Sequence, residues 1–320
     1  MPSSYIAQKQ DCPSKLDSWL KHKLKLPYSL IQKLIRKKSI KVNGKVAKTS
    51  LILAADDEVK IYANISEFND FQQNPSKKAI PAKIIELIKK SIIYQDKQII
   101  IINKPSGIAV QGGSGIKYSI DDALALLADA DEKLRLTHRI DKDTTGILVL
   151  AREKESAKII ADGFKNKLIT KTYVALLEGK PKNSSGTVKI KIAKELSGKI
   201  EKVIENDAGQ DSITEYKLID HTNGKFSLVI FTPITGRTHQ IRVVAKHLGC
   251  PIVGDRKYGS KIVNNGLTAK MHLHAYKIDL SKLNLASNSL HKSKIHNIFT
   301  AKLPDHFGES LKFLGMNLVK

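Results

Sequence analysis

His138, Arg139, Asp141, Lys142 and Asp143 stand together in LRLTHRIDKDTTGILVL (134–150), where the polar residues run directly into the apolar stretch GILVLA (146–151). A loop braced by a buried strand can place a side chain accurately in a cleft. Cations flank Asp141 and favour its charged form, so it is expected to stay ionised. An ionised carboxylate can act as a nucleophile, a base or a metal ligand.

The arginines single out the same segment. Of 54 Lys and Arg only seven are Arg: Arg36, Arg135, Arg139, Arg152, Arg237, Arg242 and Arg256. Six of them fall in the windows 135–152 and 237–256. In a chain that uses Lys nearly everywhere, Arg should persist where a planar, forked donor is required. Both windows are therefore candidate parts of one site.

Other reactive residues suggest less. GGSG (112–115) lacks the Lys-Ser/Thr of a phosphate-binding loop and reads as a turn. His272 and His274 alternate on an expected strand and share a side, but no neighbouring Cys or carboxylate completes a metal set, so they read as a structural pair. Cys12 and Cys250 can form neither a disulfide framework nor a metal site, and Cys250 between Gly249 and Pro251 reads as packing.

Length and charge bound what must position these groups. With 320 residues the chain suggests about two domains. A net charge of +23 points to a polyanionic partner, usually nucleic acid. No apolar run approaches the roughly 18–20 residues of a membrane span, and the amino terminus lacks a secretory core, so a cytosolic protein is expected.

The first 62 residues predict two helices and a hairpin. Ser14 with Asp17, and Ser29 with Gln32, form capping-box patterns ahead of apolar residues at helical spacing. In IKVNGKV, Asn43-Gly44 between alternating apolar residues is a strong hairpin signal, and Glu58–Ile61 reads as a further strand. Residues 63–90 read as a linker. From 91 to 320 strands and helices alternate. QIIIINKPSG, GILVLA, KTYVALLEG (171–179) and KFSLVIFTP (225–233) are expected strands. Ser119 and Asp122 are expected to cap one helix, and Thr238 to cap HQIRVVAKHL, which should stop at Gly249.

The amino-terminal pattern, with LDSWL, LIQKLIRKKSIKVNGK and DDEVKIY, resembles the α-L RNA-binding module of a small-subunit ribosomal protein. Lys33, Arg36, Lys37, Lys41 and Lys45 would supply its phosphate-binding surface. HRIDKDTTG resembles the HRLDxxTSG signature of RluA-type pseudouridine synthases. NKPSGIAVQGG (103–113), KTYVALLEG, TPITGRTHQIRVVAKHLGCPIVGDRKYG (232–259) and HLHA (272–275) match further motifs of that family in order. The resemblance covers nearly the whole chain and points to the RluC-like, large-subunit ribosomal RNA branch.

The resemblance implies an α+β chain: a small α-L domain (1–62), the linker, and a mixed, largely antiparallel-sheet catalytic domain (91–320). It implies cofactor-free isomerisation of uridine to pseudouridine in large-subunit ribosomal RNA, by a monomer without a metal. Asp141 would be the nucleophile, attacking either ribose or uracil. Tyr173 would stack on the base and relay a proton, and Arg242 would pair with Asp141. Arg139 would hold the uridine out of its helix. His138, Thr145, Arg237, His239 and Gln240 would contact substrate. Ile140, Lys142 and Thr145 replace the more frequent Leu, Arg and Ser. Val244 and Lys270 also depart from the usual His and Arg, and residues 280–320 match loosely.

Two other readings use the same residues. Asp141–Thr145 fits the D-x-D-x-T of haloacid-dehalogenase-like phosphatases, but LRLTHRI is not the apolar strand that should precede it. Nor does Gly254-Asp255 lead into an acidic pair. A catalytically silent RNA-binding assembly factor is the second, and the intact Asp141, Tyr173 and Arg242 set argues against it.

Overall fold

The computed structural model describes all residues except 1, 27, 49, 64–79, 114, 129–131, 198–199, 262–265, 284–296 and 319–320. The chain divides into two compact units, residues 1–77 and 78–320.

In the first unit, helices α1 (Leu16–Lys23) and α2 (Tyr28–Arg36) pack over a sheet. Its strands are β1 (Ser3–Ile6), β3 (Ile40–Val42), β4 (Lys45–Val46) and β6 (Glu58–Ile61), in the order β1-β6-β3-β4. A separate pair joins β2 (Ser14–Lys15) to β5 (Ile52–Leu53). Leu16, Trp19, Leu20, Ile31, Leu34, Ile40 and Val59 form the core. Asn43 and Gly44 take φ of 48° and 76°, the positive values that a tight hairpin needs. The Asn43 side chain also donates to Asp57 and accepts from the Glu58 N–H, which ties the turn to β6.

The box expected at Ser14 does not form, and Ser29 does not hold the cap position expected of it. Ser14 belongs to β2, so the cap position of α1 falls on Lys15, with no side-chain cap bond. Pairing with β5 holds Ser14 extended and outweighs the local preference. Ser29 is the second residue of α2 and not its cap.

In the second unit, the linker reading is corrected at its end. Residues Ala82–Lys90 form helix α3, which buries Ile88 and packs Ile84 against the same core. Its apolar stripe is narrow and set among lysines, which hid the periodicity. The segment 64–79 lies outside the described residues.

Nine strands build the main sheet of this unit among the described residues: β7 (Ile92–Gln95), β8 (Ile99–Lys104), β10 (Thr145–Ala151), β11 (Thr170–Glu178), β12 (Ser185–Ser197), β13 (Ile200–Glu205), β14 (Gln210–Thr222), β15 (Phe226–Pro233) and β16 (Leu273–Asp279). Their order is β13-β12-β14-β15-β11-β16-β10-β8-β7. All neighbours are antiparallel except β10 and β16. Short strands β9 (Arg135–Leu136) and β17 (Ile298–Thr300) add to β10 and β16. The expected α+β class, with a largely antiparallel second domain, is what forms.

The four isoleucines at 99–102 form an unbroken apolar run because both faces of β8 are covered there. Ile100 and Ile102 join α3 and α4 (Ile120–Leu127), whereas Ile99 and Ile101 join α5 (Lys154–Lys165). Ser119 and Asp122 form the expected capping box on α4. In β11, Ala175 and Leu177 face the core of α6 (Gln240–His247), and Val174 and Leu176 face α7 (Asp305–Phe313). Burying such a side chain contributes roughly 1.5–3 kcal/mol. Val244 is fully buried in that core, and Cys250 is buried nearby. The GGSG stretch turns through an Ile116 N–H to Gly113 C=O bond, with Ser114 outside the described residues.

Thr238 does not cap α6. The cap position is His239, in the left-handed region at φ 54° and without a side-chain cap bond. The Gln240 amide oxygen instead accepts from the Arg237 N–H and the Thr235 hydroxyl, closing the turn from inside the helix.

Candidate active site

The loop before β10 is fastened on two sides. Thr137 Oγ1 donates to the Val149 carbonyl at 2.7 Å, and the Val149 N–H donates to His138 Nε2 at 3.0 Å, so side chains extend the ladder beyond β9. On the other side lies Lys104, fully buried at the start of KPSG. Its Nζ donates to the carbonyls of Pro105, Ile108 and Lys142 at 2.9–3.0 Å, and the Gly107 N–H also reaches Lys142 O. Burial draws the Lys104 ammonium down to about 7, against the pull of Asp143 and Asp141. Buried Ile140 completes the support. Gly146 then admits the close parallel approach of β16: it has φ 105°, and a Cβ there would lie 2.3 Å from the Ala275 carbonyl oxygen.

Asp141, held between these anchors, lies within a cleft of about 500 Å³ beside Tyr173 and Arg242. Arg242 comes from the first turn of α6 and donates from Nη1 to Asp141 Oδ2 at 3.3 Å. Its fork points elsewhere. Nε and Nη2 bind the two oxygens of buried Asp255 at 2.6 and 2.8 Å, and the guanidinium lies 4.8 Å from the Tyr258 ring centroid. The expected pairing with Asp141 is therefore made through a single bond. The bidentate partner is Asp255, which the left-handed Gly254 (φ 81°) brings beneath the helix. Burial works against the Arg242 charge, but the Asp255 hydrogen bonds and charge, followed by Asp141, raise its pKa further.

His239 sits beside the same carboxylate. Its Nε2 is 3.9 Å from Asp141 Oδ2 and its Nδ1 is 2.7 Å from the Tyr258 hydroxyl. Burial lowers its pKa to about 4 against the Asp141 charge, so the ring is neutral at pH 7. Tyr173 is raised, first by burial and then by Asp141, and remains a protonated phenol. Arg139 and Arg237 are exposed at the rim, and Arg237 Nε donates to the Asp211 carbonyl.

Several expected substrate contacts are engaged inside the protein. Thr145 is buried against His274 Nδ1 at 2.7 Å and does not line the cleft. Gln240 lines it, but its amide binds Thr235, Arg237, Ile213 and Thr214. His138 also lines it, with Nε2 committed to Val149 and its pKa lowered to about 3 by burial. Each is polar because the scaffold needs a hydrogen bond there. His272 and His274 are fully buried, bonded to Ser310 and Thr145, in keeping with a structural pair. Asp143 is exposed and outside the cleft, so the carboxylates of D-x-D-x-T do not share a site. Asp255, Tyr258 and Lys104 had no assigned role in the sequence, although GDRKYG and KPSG both stood out.

In the first unit, Lys33, Arg36, Lys37 and Lys45 are exposed on α2 and the hairpin, while Lys41 is half-buried with Nζ 5.0 Å from the Tyr62 ring centroid. No helix among the described residues is long and apolar enough to cross a membrane.

Residues 98–247 match the family model described as RNA pseudouridylate synthase, and residues 14–59 match the S4 domain. Ribosomal large subunit pseudouridine synthase C of Rickettsia bellii (strain RML369-C) is 42% identical over 276 residues, covering 84% of this chain and 90% of that protein. The protein of the same name from Vibrio vulnificus (strain CMCP6) is 38% identical, covering 82% and 84%. Among solved structures, Human RNA Pseudouridylate Synthase Domain Containing 4 superposes with a TM-score of 0.61 at 28% identity, covering 74% of this chain and 98% of that one. These similarities extend over both units, and the chain belongs to the RNA pseudouridylate synthase family as a member with an S4 domain ahead of the synthase domain.

Proposed function

We propose that this RNA pseudouridine synthase acts on uridines of large-subunit ribosomal RNA, with Asp141 as its nucleophile. The observation that carries the assignment is the single Arg242–Asp141 bond, made by a guanidinium that Asp255 holds in place within the cleft. A carboxylate presented in this way can attack the bound nucleotide, at ribose or at uracil. The glycosidic carbon–nitrogen bond opens, the uracil turns, and a carbon–carbon bond forms to the same sugar. The bond to Asp141 breaks, and the proton lost from the ring carbon is matched by one gained at the ring nitrogen freed from the sugar. Tyr173 stacks on the base and, as a protonated phenol, relays a proton. Arg139, exposed on the anchored loop, holds the uridine out of its helix. His239 and Arg237 contact the nucleotide, and the rim cations take its phosphates.

The exposed Lys33, Arg36, Lys37 and Lys45, with Lys41, bind the RNA backbone away from the target. The large-subunit assignment follows from the names of the relatives at 38–42% identity. On this reading the enzyme works in the cytoplasm, as a monomer that needs no added cofactor. Asp141→Asn keeps the side chain's size and removes its nucleophilic charge. Pseudouridine formation on ribosomal RNA should fall to background while RNA binding persists. Turnover by the Asn variant, with deamidation checked by mass spectrometry, would remove Asp141 from this role.

A further inference from the structure

Two lysines on strands of the synthase unit, Lys104 buried on β8 and Lys171 half-buried on β11, have opposite surroundings. Lys104 directs its three ammonium hydrogens at three backbone carbonyls. Lys171 meets no hydrogen-bond acceptor and no carboxylate among the described residues. It lines the cleft from β11, two residues before Tyr173 and on the same face. Its Nζ lies 5.6 Å from the Phe164 ring centroid and beside Gly236, where a Cβ would stand 3.8 Å away. A half-buried ammonium set between an aromatic ring, a modest cation–π partner, and a bare backbone turn is desolvated with no anion to balance it.

We propose that Lys171 is a phosphate-binding residue of the cleft, whose counter-anion is a backbone phosphate next to the target uridine. Residues two apart on a strand are separated by about 6.6 Å, so one face of β11 would meet the base at Tyr173 and the phosphate at Lys171. The surroundings favour an anion over a uracil carbonyl. Lys165, Lys167 and Arg237 line the same cleft, and a neutral carbonyl would leave the ammonium without a counter-charge. Burial alone lowers the Lys171 pKa, with no carboxylate opposing it, as expected of a cation whose partner arrives with the ligand.

The assignment rests on the reading of this cleft as the uridine site. Its test uses the full chain and a large-subunit RNA hairpin that the wild-type enzyme isomerises, with binding measured in the Asp141→Asn background. Lys171→Met should raise Kd about tenfold and flatten the plot of log Kd against log salt by about 0.7, the contribution of one single-stranded phosphate. Lys171→Arg should recover most of the loss. Hairpins carrying one neutral methylphosphonate at each linkage around the target then locate the contact. At one linkage the modification should weaken wild-type-Lys171 binding about tenfold and leave Lys171→Met unaffected.

The Met variant should also melt no lower than its parent, because it removes an unpaired desolvated charge, and Lys171→Gln provides a second variant for the same cycle. An unchanged Kd and salt slope, or equal methylphosphonate losses for Lys and Met at every linkage, would overturn the assignment. Failure of the underlying reading has a different signature, namely continued turnover by Asp141→Asn, and would overturn both.

Discussion

The two units both carry functional-site candidates that are cations, but they hold them differently. In the S4 unit, Lys33, Arg36, Lys37 and Lys45 project from α2 and the hairpin into solvent, and their chemical type matters little beyond charge. In the synthase unit, Arg242 is buried, forked onto Asp255 and laid over Tyr258, with Nη1 turned to Asp141. A surface cation adds to a field, whereas a buried and braced one sets a position. Within the two arginine-rich windows Arg242 alone is buried in this way, whereas Arg139 and Arg237 are exposed at the rim.

The largest expected difference between the units appears in acid. Burial lowers His272 and His274 to about 4, and both are fully enclosed in the synthase unit. Their folded values lie below the roughly 6.5 of the unfolded chain. Stability is therefore complete above about pH 6.5 and is lost as pH falls toward 4, where the unfolded chain takes up protons that the fold excludes. Each ring should contribute on the order of 3 kcal/mol over that window. Calorimetry should show the synthase transition falling steeply from pH 6.5 to 4 while the S4 transition moves less. Parallel shifts would break the contrast.

The second expected effect concerns rate. Arg242→Lys keeps the charge but loses the fork, and Asp255→Asn removes the brace. Each should lower the single-turnover rate by roughly 10²-fold, the scale of misplacing a catalytic group by about 1 Å, with RNA affinity nearly intact. An affinity loss without a rate loss would mean that Arg242 only attracts RNA.

A smaller effect is expected from the S4 unit. Residues 1–62 contain 13 Lys and Arg against 5 Asp and Glu, a net charge of +8. Removing residues 1–77 should weaken binding to a ribosomal RNA fragment about tenfold and flatten its salt dependence, by about 0.7–0.9 for each phosphate that is no longer neutralised. Turnover of a short hairpin should persist. An unchanged salt slope would deny the unit its phosphate-binding role. The smallest effect belongs to Arg36→Lys, which should change rate and affinity by no more than about twofold, since an exposed site asks only for charge.

The sequence was legible where local chemistry decides structure. Asn43-Gly44 closes its hairpin, Ser119 and Asp122 cap their helix, and the isoleucine run is a strand covered on both faces. It was misleading where a distant segment competes. β5 draws Ser14 out of its cap, and Gln240 takes over the closing role expected of Thr238. The site was legible as a set of residue types, with Asp141, Tyr173 and Arg242 in one cleft. The direction of the Arg242 fork was not. Asp255 reaches it through the left-handed Gly254 and the turn after α6, and no periodicity encodes that approach. The same limit applies to Lys104, whose acceptors are backbone carbonyls that exist only once the loop is folded.

A double-mutant cycle on Arg242 and Asp255, read as single-turnover rate on a saturating hairpin, tests the central claim most directly. If the fork is what holds Arg242 against Asp141, Arg242→Lys with Asp255→Asn should be no slower than either single variant, since both break the same support. Losses that multiply in the double variant, to roughly 10⁴-fold from two single losses of about 10²-fold, would show independent contributions and contradict the account.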